Sequence, residues 1–152
     1  MIKVKIIIDK KSVILTESHL REIDSQRKIF TIDNIDTVKD AEIVLKNCKN
    51  HVQCIESEFI RIKDWINYQI ETIAKAINYL DNDKVEWEID FNDKKQQKHY
   101  PYFEKINNGL VFHDSFFSYY YFVGQVAFFK KQEHSNMFGK KFVHLYEQLS
   151  NF

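Results

Sequence analysis

From Val38 to Leu80 the chain contains neither proline nor glycine, and its apolar residues return at alternating steps of three and four. Val38, Ala41, Leu45, Cys48, Val52, Ile55, Phe59, Ile62 and Ile66 form the first series; Ile70, Ile73, Ile77 and Leu80 continue it after one extra step of four, a stutter. Four heptads of apolar a and d positions meet the usual threshold for a coiled coil. Asp36 or Thr37 supplies the cap, and Asp40 follows Thr37 by three, near the positive end of the helix dipole. One helix over 36–81 would run roughly 65 Å, whereas a compact domain of this size has a radius of gyration of about 15 Å. Either the rod projects and pairs with another chain, or it breaks at "KNCKNH" (46–51) and folds back. The unbroken spacing favours the rod. It predicts a homodimer held along Leu45, Val52, Ile55, Phe59, Ile62 and Ile66.

The remaining elements define an α+β protein: a small, mostly antiparallel sheet, the long amphipathic, coiled-coil-like helix, and two C-terminal helices. "IKVKIII" (2–8) and "VILT" (13–16) alternate as strands around the turn "DKKS", and "RKIFTI" (27–32) reads as a third, so residues 1–35 supply N-terminal strands. "DND" (81–83) stops the helix. "VEWEIDF" (85–91) alternates without error, Val85, Trp87, Ile89 and Phe91 on one face and Glu86, Glu88 and Asp90 on the other. "DKKQQKH" is a solvated loop, and "YFEKINNGLVF" is a hairpin about Asn108-Gly109, so 84–112 forms a strand and a hairpin. Residues 114–150 are assigned to C-terminal helices, and all of 1–152 to a single domain.

"HDSFFSYYYFVGQVAFF", His113 to Phe129, has eight aromatic residues among its seventeen. A membrane span needs about 20 apolar residues, and Asp114, Gln125 and Lys130-Lys131 interrupt this run, so no membrane contact is expected. Apolar rows at 116, 120, 123 and 127 and at 117, 121, 124 and 128 describe a central core helix capped by Asp114 or Ser115. Two strands bent at Gly124 are the alternative. Tyr119, Tyr120 and Tyr121 offer faces on which bases stack, but stacking platforms lie beside a basic groove, and here the lysines only flank the run. In the last stretch Phe138, Phe142, Leu145 and Leu149 give helical spacing behind a Ser135 cap.

Charge narrows the classes of function. The formal net charge is zero, with seven basic against twelve acidic groups over 36–92 and eight against five over 93–152. A neutral chain lacks the phosphate-neutralising surplus of a dedicated duplex binder. Lys94, Lys95, Lys98, Lys130, Lys131, Lys140 and Lys141 are the basic set that would hold RNA, DNA or an acidic partner if they converge. "IKVKIIID" follows Met1 with no secretory cleavage pattern, and Cys48 and Cys54 lie too far apart on one helix for a bridge, so they read as reduced thiols of a cytoplasmic protein.

Specific chemistry is hard to find in these residues. His113-Asp114, with His99, begins the ligand order of metal-dependent phosphohydrolases, but no later aspartate completes it. Cys48, His51 and Cys54 point around two-thirds of a turn instead of converging on zinc. Glu86, Glu88 and Asp90 sit about 6.6 Å apart along one strand face, where two-metal nuclease chemistry would need a lysine and a further acid nearby. Gly109, Gly124 and Gly139 are the only glycines, which excludes phosphate loops and nucleophile elbows. No catalytic residue, metal or cofactor is assigned. The expected function is a non-enzymatic protein-binding regulator, inhibitor or assembly factor of bacterial or phage type, acting as a homo-oligomer with another protein as its partner. A nucleic-acid binder using the lysine pairs and tyrosines is one alternative, and a metal-dependent nuclease or hydrolase on the acidic face is another.

Overall fold

A computed structural model of the chain describes residues 4–8, 11–15, 30–107, 109–118 and 126–152, and has the α+β class expected. The residues divide into two compact units, 1–30 and 31–152. In the first, β1 (Val4–Ile8) pairs antiparallel with β2 (Lys11–Leu15), from Val4 opposite Leu15 to Ile8 opposite Lys11. This is the hairpin expected around "DKKS". Of the strand expected over 27–32, residues 27–29 lie outside the described residues. Phe30 and Thr31 are not in a strand, and Ile32–Asn34 form a single 3-10 turn.

The second unit is organised around two helices that face each other. Helix α1 (Val38–Leu45) starts with the expected capping box: Thr37 Oγ1 accepts from the Asp40 N–H at 3.2 Å, and Asp40 Oδ2 accepts from the Thr37 N–H at 3.0 Å. Helix α2 (Ile62–Asp81) is the longest element. The continuous rod over 36–81 is therefore corrected to two helices joined by an irregular connection.

The break falls at the polar run considered for it. Tight turns close from Cys48 N–H to Leu45 O (2.8 Å) and from His51 N–H to Cys48 O (3.2 Å), and Asn side chains compete for helical backbone groups. Side chains of α2 then take over the backbone of the connection. Lys75 Nζ donates to Asn50 O (3.1 Å), and the Tyr68 hydroxyl accepts from the Cys54 N–H (2.9 Å). Folded back, Val38, Ala41, Leu45 and Cys48 bury against the same chain's Ile66, Ile70, Ile73 and Ile77. Each such isoleucine contributes about 1.5–3 kcal/mol, so the apolar seam finds much of its cover inside one chain.

Helix α2 ends at Asn82, where Asp83 and Lys84 take positive φ (53° and 62°) and the Lys84 N–H reaches back to Tyr79 O at 2.8 Å, a Schellman closure. Residues 85–90, expected as a strand, form no ladder among the described residues. The hairpin is where it was expected but longer: β3 (Lys98–Ile106) pairs antiparallel with β4 (Gly109–Ser118), with a register shift between Tyr102 and Phe103 that leaves His113 as the extra residue. The start of the aromatic run, 115–118, is thus strand and not helix. Residues 119–125, including Tyr119, Tyr120 and Tyr121, lie outside the described residues. Val126 to Phe128 are irregular, and Phe129 bridges His99 by reciprocal bonds of 2.9 and 2.7 Å.

Two C-terminal helices follow, α3 (Gln132–Lys141) and α4 (Val143–Leu149). Both lie beyond the aromatic run, and Ser135 is a fully buried interior residue of α3 instead of its cap. Helix α3 packs on the hairpin at Gly139, where a Cβ would meet the Phe112 ring and Pro101. Phe129, Phe138 and Phe142 complete the core beside Leu145. Among the described residues no helix is long and apolar enough to cross a membrane.

Candidate functional site

The irregular segments on either side of the hairpin form the walls of a cleft. Residues 86–89 lie on one side and 126–128 on the other, both against the face of α2 that carries Glu71, Ala74, Lys75, Asn78 and Tyr79, and they enclose about 490 Å³. Small-ligand sites typically span about 300–1,000 Å³. Among the described residues neither wall is held by a strand ladder. Gln96 donates through Nε2 to Glu88 O (2.9 Å) and accepts at Oε1 from the Asp90 N–H (2.9 Å). Asn78 donates through Nδ2 to Phe128 O (2.8 Å) and accepts at Oδ1 from the Lys130 N–H (3.0 Å). In each case one carboxamide satisfies a C=O and an N–H two residues apart, as a neighbouring strand would.

Charge in the cleft is unevenly compensated. Lys75 Nζ lies 2.7 Å from Glu86 Oε1, and Glu86 Oε2 accepts from Asn50 Nδ2 at 2.8 Å, so both members of this pair are satisfied. The bond to Lys75 holds the Glu86 carboxyl below the usual range. Glu71 and Glu88 have no side-chain hydrogen bond or ion pair among the described residues, and desolvation raises the Glu71 carboxyl above its usual range. Behind the pair, His51 Nε2 is buried without a partner among the described residues, and burial, then the Lys75 charge, lowers its pKa.

An aromatic face of the hairpin touches the cleft wall through Tyr100 and Phe128. Cross-strand partners share a face, which places Tyr100, Tyr102, Phe116 and Val111 together. Tyr102, Val111 and Phe116 are exposed. Tyr102 meets Phe116 edge-on at 5.1 Å and His113 at 6.1 Å, while Tyr100 meets Phe128 of the cleft wall at 6.1 Å. Periodicity favoured a helix across 115–118 and so missed this face.

The residues expected along the dimer seam separate into two groups. Leu45 (0% exposed) and Ile66 (1%) lie in the protein's own core, whereas Val52 (75%), Ile55 (58%) and Ile62 (62%) are exposed. Phe59 packs at a tilt against Trp65 and Tyr68 at 5.5 and 5.3 Å. Exposed Ile43 and Ile60 join the second group, and a groove of about 590 Å³ lined by Ile43, Ile55 and Trp65 runs beside it. Its base is the buried Glu42, which accepts from the Tyr68 hydroxyl (3.0 Å) and Gln53 Nε2 (3.1 Å).

Several of the lysines considered for nucleic acid have internal partners. Lys98 is fully buried; its ammonium donates to Gln96 O (2.9 Å) and sits 5.5 Å above the Phe91 ring, which fixes the loop that carries Gln96. Lys130 donates to Asn82 Oδ1 (2.8 Å) and Lys131 pairs with Asp81 (2.6 Å), so both close the C-terminal end of α2, where cations offset the helix dipole. Lys141 pairs with Asp36 at 2.7 Å. Lys94, Lys95 and Lys140 are exposed.

Among the described residues no three His, Cys, Asp or Glu side chains converge as metal ligands. Glu86 is committed to Lys75, while Asp90 turns inward at Oδ1 to accept the Asn92 N–H at 2.8 Å. Asp114 lies opposite Tyr102 and His99 opposite Phe117, so these two are not cross-strand neighbours. Cys48 and Cys54 are both free thiols. The sequence matches no family model, no curated protein is similar to it, and no solved structure matches its fold.

Proposed function

We propose that this chain is a non-enzymatic protein-binding module, a small regulator, inhibitor or assembly factor of bacterial or phage type that works in the cytoplasm as a homo-oligomer. One observation carries the reading: five large apolar side chains, Ile43, Val52, Ile55, Ile60 and Ile62, are exposed on α1, the connection and the start of α2, and two of them, Ile43 and Ile55, line one groove. Monomeric proteins rarely leave such patches open. The groove also presents both signs of charge, Lys39 and Lys46 beside Glu56, which suits a self-complementary contact across a two-fold axis. On this reading the contact is carried by Val52, Ile55 and Ile62, without Leu45 and Ile66, which are buried in the chain's own core. Two unpaired cysteines suit a reducing compartment.

Light scattering across a concentration series tests the reading. The wild type runs as a dimer, and Ile55→Lys, a change at an exposed position that spares the core, runs as a monomer. A wild type that stays monomeric at every concentration, or an Ile55→Lys protein with undiminished mass, would refute self-association through this patch.

A further inference from the structure

We propose that the cleft between α2, residues 86–89 and residues 126–128 receives an arginine side chain from a basic, extended segment of a partner protein. The inference rests on the reading of the chain as protein-binding but not on its self-association.

Three features define the guest. The first is charge: three carboxylates and one ammonium line the cleft, and because Lys75 is spent on Glu86, Glu71 and Glu88 have no ion-pair partner among the described residues. An unpaired carboxylate beside apolar walls is stabilised by a cation that comes with its own hydrogen-bond donors. The second is the aromatic lining of Tyr79, Trp87 and Phe128, whose ring faces attract cations. A guanidinium both stacks on such rings and forks onto a carboxylate, which an ammonium does less well. The third is continuity. Phe128 passes the cleft wall on to Tyr100, and the hairpin face beyond presents exposed Tyr102 and Phe116 to apolar residues flanking the arginine. A free small amine would use the first two features and leave the third idle; a peptide uses all three.

Trp87 reports on the site once the other tryptophan is removed. In a Trp65→Phe background, an acetylated and amidated pentapeptide with arginine between leucine and phenylalanine should change Trp87 fluorescence saturably. The citrulline peptide, equal in shape but uncharged, should bind about tenfold more weakly, the scale expected for losing charge-assisted hydrogen bonds. Glu71→Gln with Glu88→Gln should weaken the arginine peptide to a similar degree; both positions are exposed and isosterically replaced. Equal binding of the citrulline peptide, an undiminished double variant, or no saturable signal would each overturn the proposal. Free arginine amide binding as tightly as the peptide would overturn peptide docking. Repeating the titration on Ile55→Lys separates this claim from self-association, since a monomer that still binds the peptide leaves the cleft assignment intact.

Discussion

Asn78, buried on α2, holds the carbonyl of Phe128 at 2.8 Å through its side-chain amide. The same carboxamide receives the Lys130 N–H at 3.0 Å, so one residue fixes a cleft wall fifty positions away in the chain. Asn78→Asp removes the donor and turns a second oxygen toward the Phe128 carbonyl. Unfolding free energy measured in urea should fall by about 2–4 kcal/mol, the cost of an unpaired buried polar group with added repulsion. A change near zero would mean that the wall is held by other contacts.

The approach of α3 to the hairpin gives a second test. A methyl at Gly139 would overlap the Phe112 ring and press on Pro101. Gly139→Ala should cost about 1–3 kcal/mol despite alanine's better helix propensity, because overpacking outweighs it. Combining it with Phe112→Leu should recover part of the loss, and a thermal-melt double-mutant cycle measures that coupling.

His99 sets part of the pH dependence. It is 9% exposed, and desolvation lowers its pKa from the model-compound value of 6.5. The unfolded chain then takes up the proton before the folded one does, so this contribution to stability is complete above about pH 6.5 and is lost as the pH falls through the lowered folded value. His99→Gln should flatten stability measured between pH 7 and about 5, leaving the slope that His51 supplies in the same direction. An unchanged slope would place the acid sensitivity elsewhere.

Much of the scaffold was legible in the sequence, and the reason differs by element. Thr37 and Asp40 cap α1 as their spacing indicates, Ile66, Ile70, Ile73 and Ile77 form the buried face of α2, and the β3–β4 hairpin turns at the expected place. The rod over 36–81 failed for a physical reason: apolar a and d positions are buried equally well by a sister helix or by the same chain folded back. The side chains Tyr68 and Lys75, reaching the backbone of residues 50–54, help to favour the second, and nothing in heptad spacing reveals them. "VEWEIDF" failed in another way. Its alternation is that of a strand, but the ladder groups of Glu88 and Asp90 are taken by the Gln96 side chain. The cleft was not legible at all, because its lining comes from three stretches that no local period connects.

The anchoring of residues 86–90 by side chains, Lys75 and Asn50 at Glu86 and Gln96 at Glu88 and Asp90, has a consequence for how this surface can diversify. A segment fastened by a few side chains tolerates insertions, deletions and composition changes that would shear a multi-stranded sheet out of register. Homologues, or engineered versions, can therefore recontour the mouth of the cleft by editing a handful of positions while inheriting the same load of helix and hairpin beneath. Selectivity among guests would then evolve at a rate set by this short span, decoupled from the slower constraints on the interior.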